Sequence, residues 1–145
     1  MKRIAPTALA LLALAVAACG SDDESVAEAE PTTSPEQAVA EIGDVRSGLA
    51  DALASYEDGD AAAAAETVNE TYLQHFELVE GPLEEADAEL NEELEEQIRE
   101  ELVTEIESGA PKADVAGLVS DIGEGLDEAE AALGADKPAA QGGVY

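Results

Sequence analysis

The amino-acid sequence predicts an all-α domain, an antiparallel up-down four-helix bundle, and three observations lead there. Apolar residues recur at steps of three and four in four separate runs, the signature of amphipathic helices. The composition is rich in Ala and Glu with no Trp, one Phe and three Tyr, which suits closely packed helices better than a β-sandwich. Gly and Pro stand between the runs, leaving turns short enough to make neighbours of successive helices. A chain of 145 residues has room for one small domain.

The first helix starts at Pro35, with Ser34 as N-cap and proline at the first helical position. Its apolar residues are Ala38, Ile42, Val45, Leu49, Ala52 and Tyr56, and Gly59 stops it after Asp58. Asp60 caps the second helix, whose inward stripe is Ala61, Ala65, Val68, Tyr72, Phe76 and Val79. Gly81-Pro82 is expected to break it. The third helix is predicted from about Asp87 to Ser108, with Leu90, Leu94, Ile98, Leu102 and Ile106 inward and Arg99 as its only basic residue. Gly109 and Pro111 separate it from the fourth, in which Val115, Leu118, Val119, Ile122, Leu126, Ala129 and Leu133 face inward before Gly134.

Ahead of this domain, Lys2 and Arg3 form a positive n-region, Ile4 to Val16 an apolar stretch, and Val16-Ala17-Ala18-Cys19 a small-residue approach to a cleavage point. This arrangement resembles a bacterial lipobox. The resemblance implies that residues 1–18 are a lipoprotein signal peptide and that Cys19 becomes the first residue, carrying a diacylglycerol lipid. A single Cys cannot form an internal disulfide, which fits that role. Residues 19–34 have too little apolar content to order themselves and read as a flexible acidic tether. The four-helix domain is expected over 35–134 and a disordered tail over 135–145. Localisation is therefore expected to be extracytoplasmic and membrane-anchored, in the periplasm or at the cell surface.

Charge excludes several functions. With 35 acidic residues against 6 basic ones, the formal net charge is −29. Signal cleavage removes Lys2 and Arg3 and no acid, so the exported chain is more acidic still. Such a surface repels phosphate backbones, which argues against nucleic-acid binding, and it attracts cations. With no second His, no Cys beyond Cys19, no phosphate-binding Gly-rich loop and no nucleophile elbow, the chain is expected not to be an enzyme.

The residues with candidate chemistry cluster on the second helix, in Tyr72-Leu73-Gln74-His75-Phe76-Glu77-Leu78-Val79-Glu80. Glu77 and Glu80 share a face. Carboxylates suit hard cations, and an imidazole widens the choice to iron, manganese or zinc. On a regular helix, at about 100° per residue, His75 lies roughly 160° from Glu77 and about 140° from Glu80. One helix therefore cannot bring all three to one ion, and carboxylates from the third helix, Glu92, Glu95 or Glu96, are needed to complete a site. Most of the remaining Glu residues read as a solvated acidic face, and Tyr56 and Tyr72 as core aromatics with wet hydroxyls.

The run Tyr56-Glu57-Asp58-Gly59-Asp60, Ala64, Tyr72-Leu73, Phe76-Glu77, Glu80 and Leu83, continued by Ile106, Gly109-Ala110-Pro111 and Leu133-Gly134, resembles the extracytoplasmic helical domain of bacterial high-affinity iron permeases. The likeness spans about residues 36 to 134. More loosely, the chain is similar to helical lipoproteins of ferrous-iron uptake systems. The resemblance implies an iron-handling accessory role, with Glu77 and Glu80 matching the family's Phe-Glu-x-x-Glu motif and Glu96 the nearest match to an acid early in the third helix. The chain departs from the family at Val103, where a basic residue is expected, and in lacking permease segments. The expectation is a lipid-anchored protein with metal ligands Glu77, Glu80, His75 and Glu96, binding an iron ion and delivering it to a membrane iron permease. The competing expectation is an acidic structural or protein-interaction lipoprotein without a specific metal site.

Overall fold

A computed structural model describes residues 33–135, and all of the regular structure among them is helical. The signal peptide, Cys19, nearly all of the tether and the C-terminal tail lie outside the described residues. Helix α1 is Pro35–Glu57. Helix α2 is continuous through Ala61–Thr71, a π turn at Tyr72–Phe76, and Glu77–Ala86. Helix α3 has the same construction, Ala88–Glu96, a π turn at Gln97–Glu101, and Leu102–Ser108. Helix α4 is Lys112–Ala135. The chain is thus an all-α four-helix bundle. No helix among the described residues is long and apolar enough to cross a membrane.

The predicted starts hold. The Ser34 hydroxyl accepts from the Gln37 N–H and the Gln37 side chain accepts from the Ser34 N–H, closing a capping box. Asp60 accepts from the Ala63 N–H at 3.1 Å, and Asp87 from the Leu90 N–H at 3.2 Å. Gly59 and Gly109 take φ of +94° and +73°, backbone values that a side chain would strain.

One expected break does not occur. Helix α2 passes through Gly81-Pro82 and ends at Ala86. An interior proline loses a backbone hydrogen bond, a cost of about 3 kcal/mol. Leaving the helix there would expose Leu83, which is wholly buried, and would move Asp87 out of its capping position at the head of α3.

The two π turns have a cause in the spacing of the core residues. In a regular α-helix a stripe at strict steps of four drifts by about 40° per step. Helices α1 and α4 avoid drift by alternating steps of four and three, and both are regular. Helix α3 instead places Leu90, Leu94, Ile98, Leu102 and Ile106 at fours, and α2 places Ala64, Val68, Tyr72 and Phe76 at fours. A π turn, with its wider winding, absorbs the drift and keeps every one of these residues in the core. Steps of four predict plain helix, and the structure places a π turn in each such run.

The core runs the length of the bundle, with Phe76 its largest fully buried side chain. Ala61, Leu118 and Val119, expected inside, are only partly buried and pack on its rim. Helices α1 and α2 come close together at Gly48, where a Cβ would stand 2.0 Å from the Thr71 hydroxyl oxygen. Helices α3 and α4 come close together at Gly125, where a Cβ would meet Leu94 at 2.8 Å. Arg46 ties α1 to α4 through the Gly123 carbonyl at 2.9 Å and Asp127 at 2.5 Å. At one end the Tyr56 hydroxyl donates to the Ala110 carbonyl at 2.6 Å and Lys112 donates to the Glu57 carbonyl.

Candidate functional site

The four residues expected to share a metal are divided among separate places. His75 lies inside the π turn of α2 and is directed at α1, where its Nδ1 is 2.8 Å from Glu41 Oε2 and 4.0 Å from Asp44 Oδ2. Glu80 faces α3. Glu77 and Glu96 are exposed carboxylates, with no hydrogen bond or ion pair to either cluster. The angular argument, that His75 and the two Glu residues of α2 cannot converge, agrees with this arrangement. What differs is the source of the partners.

Around His75 the partners come from α1. One ligand atom each from Glu41, Asp44 and His75 lies within 4.8 Å of the other two. Glu41 and Asp44 are three apart and therefore on one face, beside the buried Ile42 and Val45. The close contact at Gly48 and Thr71, one turn along each helix, sets the separation across which His75 meets them. The side chains of Glu41 and His75 are 26 % and 32 % exposed, whereas that of Asp44 is 63 % exposed. The cluster is therefore rooted in the helix seam and open to solvent on one side. Asp44 and His75 line a shallow groove that also carries Asp51 and Glu70.

The second cluster sits on the α2–α3 seam. The Tyr72 hydroxyl donates to Glu80 and lies 3.4 Å from Glu95 Oε1. Arg99, within the π turn of α3, donates to Glu95 at 3.1 Å and stacks on the Tyr72 ring with its guanidinium carbon 5.5 Å from the centroid. Burial, reinforced by the Glu80 hydrogen bond and the neighbouring carboxylates, pushes the Tyr72 hydroxyl well above the ordinary phenol range. Burial also raises Glu80 above its ordinary 4.5, and the charges of Glu95 and Glu77 add to the rise while the Tyr72 hydrogen bond opposes it. The acid that α3 directs at α2 is thus Glu95. Its neighbour Glu96, favoured by the family resemblance, turns outward, because one helical step rotates a side chain by about 100°.

Sequence reasoning missed Glu41 and Asp44. Their signal was present: an acidic pair three apart, flanking the core stripe of α1, with Gly48 one turn on. A flank acid pair beside a glycine that admits a neighbouring helix is a place where a side chain from that helix can arrive. Tyr72 was assigned to the core correctly, and the hydroxyl at its tip joins Glu80 to α3.

Chemically, an imidazole nitrogen with two carboxylates is a donor set for divalent transition metals. Comparison with known proteins adds no precedent: no family model matches the chain, and neither a curated protein nor a solved structure matches it.

Proposed function

We propose that the protein is a lipid-anchored, extracytoplasmic metal-binding protein that captures a divalent transition metal and holds it for a membrane permease. The observation that carries this reading is the convergence of Glu41, Asp44 and His75 from two helices. Iron is the cargo implied by the sequence resemblance, and an imidazole with two carboxylates is compatible with ferrous ion.

The capture mechanism follows from charge and exposure. Among the described residues the only lysines and arginines are Arg46, Arg99 and Lys112, and each is engaged with a neighbouring residue. Most of the carboxylates therefore face solvent uncompensated and concentrate cations around the bundle. In the free protein a hydrogen on His75 Nδ1 is donated to Glu41. A metal ion would replace that hydrogen bond with coordination by the imidazole Nδ1 and the Glu41 carboxylate, the ring keeping its proton on Nε2 after exchange with solvent, and Asp44 would supply a third donor from the solvent side. Three protein donors, one of them well exposed, leave coordination positions to water, so the ion can pass to a stronger acceptor. Glu77 and Glu96 contribute to the surrounding field and not to this site.

Anaerobic calorimetry of the chain from residue 20 onward tests the reading. Ferrous ion is expected to bind with about one equivalent in 0.5 M salt, and Glu41→Gln with Asp44→Asn to weaken it at least tenfold. Glu77→Gln with Glu96→Gln is expected to leave it unchanged. The competing reading, an acidic interaction lipoprotein, draws support from the number of exposed carboxylates and predicts weak binding that salt erases in every variant. Lipidation is tested separately by incorporation of labelled palmitate into the full chain, expected to be lost in Cys19→Ser.

A further inference from the structure

His75 and Tyr72 belong to one π turn, Tyr72–Phe76, and leave it on different seams, His75 toward Glu41 of α1 and Tyr72 toward α3. The Tyr72 hydroxyl also donates to Glu80, eight residues on, in the α-helical stretch that follows the turn. In a regular α-helix, residues eight apart point about 80° away from each other. A π turn holds one residue more than an α turn and so takes out about 100°, the angle of one residue. About 20° remains, which leaves Tyr72 and Glu80 on nearly one line along the helix. The Tyr72–Glu80 hydrogen bond therefore fits α2 with its π turn and not α2 wound as regular helix.

The same winding decides where His75 points. The stretch Ala61–Thr71 is docked on α1 where Thr71 meets Gly48. Relative to that stretch, regular winding of the next five residues would turn His75 by part of the same 100° and carry its ring away from Glu41. Buried Tyr72 and Phe76 hold the core side of the turn, whereas the His75 side chain between them is partly exposed. From the far side, α3 grips the ring that makes the bond. Arg99 stacks on Tyr72 and donates to Glu95, whose Oε1 lies 3.4 Å from the Tyr72 hydroxyl.

We infer that Tyr72 and Glu80 are positioning residues for the His75 site, their hydrogen bond stapling the π turn in the winding that presents the imidazole to Glu41 and Asp44. Neither residue coordinates the ion; both act through the direction of His75. The consequence for metal affinity rests on the metal-binding reading above. The consequence for the imidazole itself needs no metal, because the Glu41 hydrogen bond selects which ring nitrogen carries the proton.

Two measurements on protein labelled with 15N-histidine test this. Without metal, at about pH 8.5, the ring-nitrogen shifts report the balance between the Nδ1–H and Nε2–H forms. Tyr72→Phe, which removes only the hydroxyl, is expected to move that balance toward Nε2–H, as Glu41→Ala does. In a zinc titration in 0.5 M salt, Tyr72→Phe and Glu80→Leu should each raise the concentration for half-saturation about fivefold. Glu80→Gln, whose amide oxygen still accepts from Tyr72, should recover most of the affinity that Glu80→Leu loses. Leu126→Ala, a core change on α4, should lower the melting temperature and leave both readouts as in the unaltered protein, with circular dichroism showing each variant helical. A balance in Tyr72→Phe equal to that of the unaltered protein overturns the inference whether or not zinc binds, as does a Glu80→Gln that binds no better than Glu80→Leu. A shifted balance in Tyr72→Phe, in a protein whose His75 signals ignore zinc, would overturn the metal reading and uphold the positioning role.

Discussion

At the level of single residues, two side chains three positions apart face different partners. His75 reaches back to α1 and Tyr72 across to α3, with Phe76 buried beside them. Replacing Phe76 with Ala removes the largest fully buried side chain and is expected to cost about 3–5 kcal/mol in chemical denaturation. Glu80 makes a prediction about pH. Its carboxyl is raised above the ordinary 4.5, so in the pH window between these values the folded state holds a proton that the unfolded chain has released. Ionisation therefore favours unfolding. The destabilisation is absent below the ordinary carboxylate range and complete above the raised value. Thermal midpoints should thus climb as pH falls through the raised value toward 4.5, and Glu80→Gln should show a smaller climb. A climb of equal size in Glu80→Gln would show that Glu80 does not contribute to it.

At the level of helices, what was legible in the sequence was whatever depends on local pattern. The caps at Ser34 and Asp60, the turn glycines, the start of α3 and most of the core residues follow from short-range chemistry. The run through Pro82 was not legible, because burying Leu83 against the other helices overrides the local cost of proline. Glu41 and Asp44 were not legible as the partners of His75 because helix pairing, set where Gly48 meets Thr71, decides which flanks meet. The π turns were encoded in steps of four that look like ordinary helix until the drift is counted. Gly48 connects this level to the site. A Cβ there would overlap Thr71, whose buried hydroxyl is held by the Thr67 carbonyl at 2.7 Å. Gly48→Ala is therefore expected to push α1 from α2, lowering stability by about 1–3 kcal/mol. It should also weaken metal binding at His75 even where the fold is intact. Metal affinity equal to that of the unaltered protein in a destabilised Gly48→Ala would detach the site from the helix contact.

For the whole molecule, stability is a balance between a narrow apolar core and the mutual repulsion of a chain with net charge −29. Screening shortens the reach of that repulsion from roughly 10 Å at 0.1 M salt to about 3 Å at 1 M. The melting temperature is expected to rise by about 5 °C or more between these concentrations, which corresponds to around 1 kcal/mol in a domain of this size. A melting temperature that falls with salt would contradict this balance. The same charge cloud attracts cations weakly and unspecifically, so the proposed function rests on whether one place binds differently from the rest. The single His of the chain reports on that place alone. Untagged protein labelled with 15N-histidine should be titrated with zinc, a diamagnetic stand-in for ferrous ion, in 0.5 M salt and followed through the His75 ring nitrogens. The account predicts that the free signal is replaced or shifted to completion near one equivalent, and that Glu41→Gln with Asp44→Asn delays this at least tenfold. Imidazole signals that move only with many equivalents, equally in both proteins, would contradict a metal site built from Glu41, Asp44 and His75.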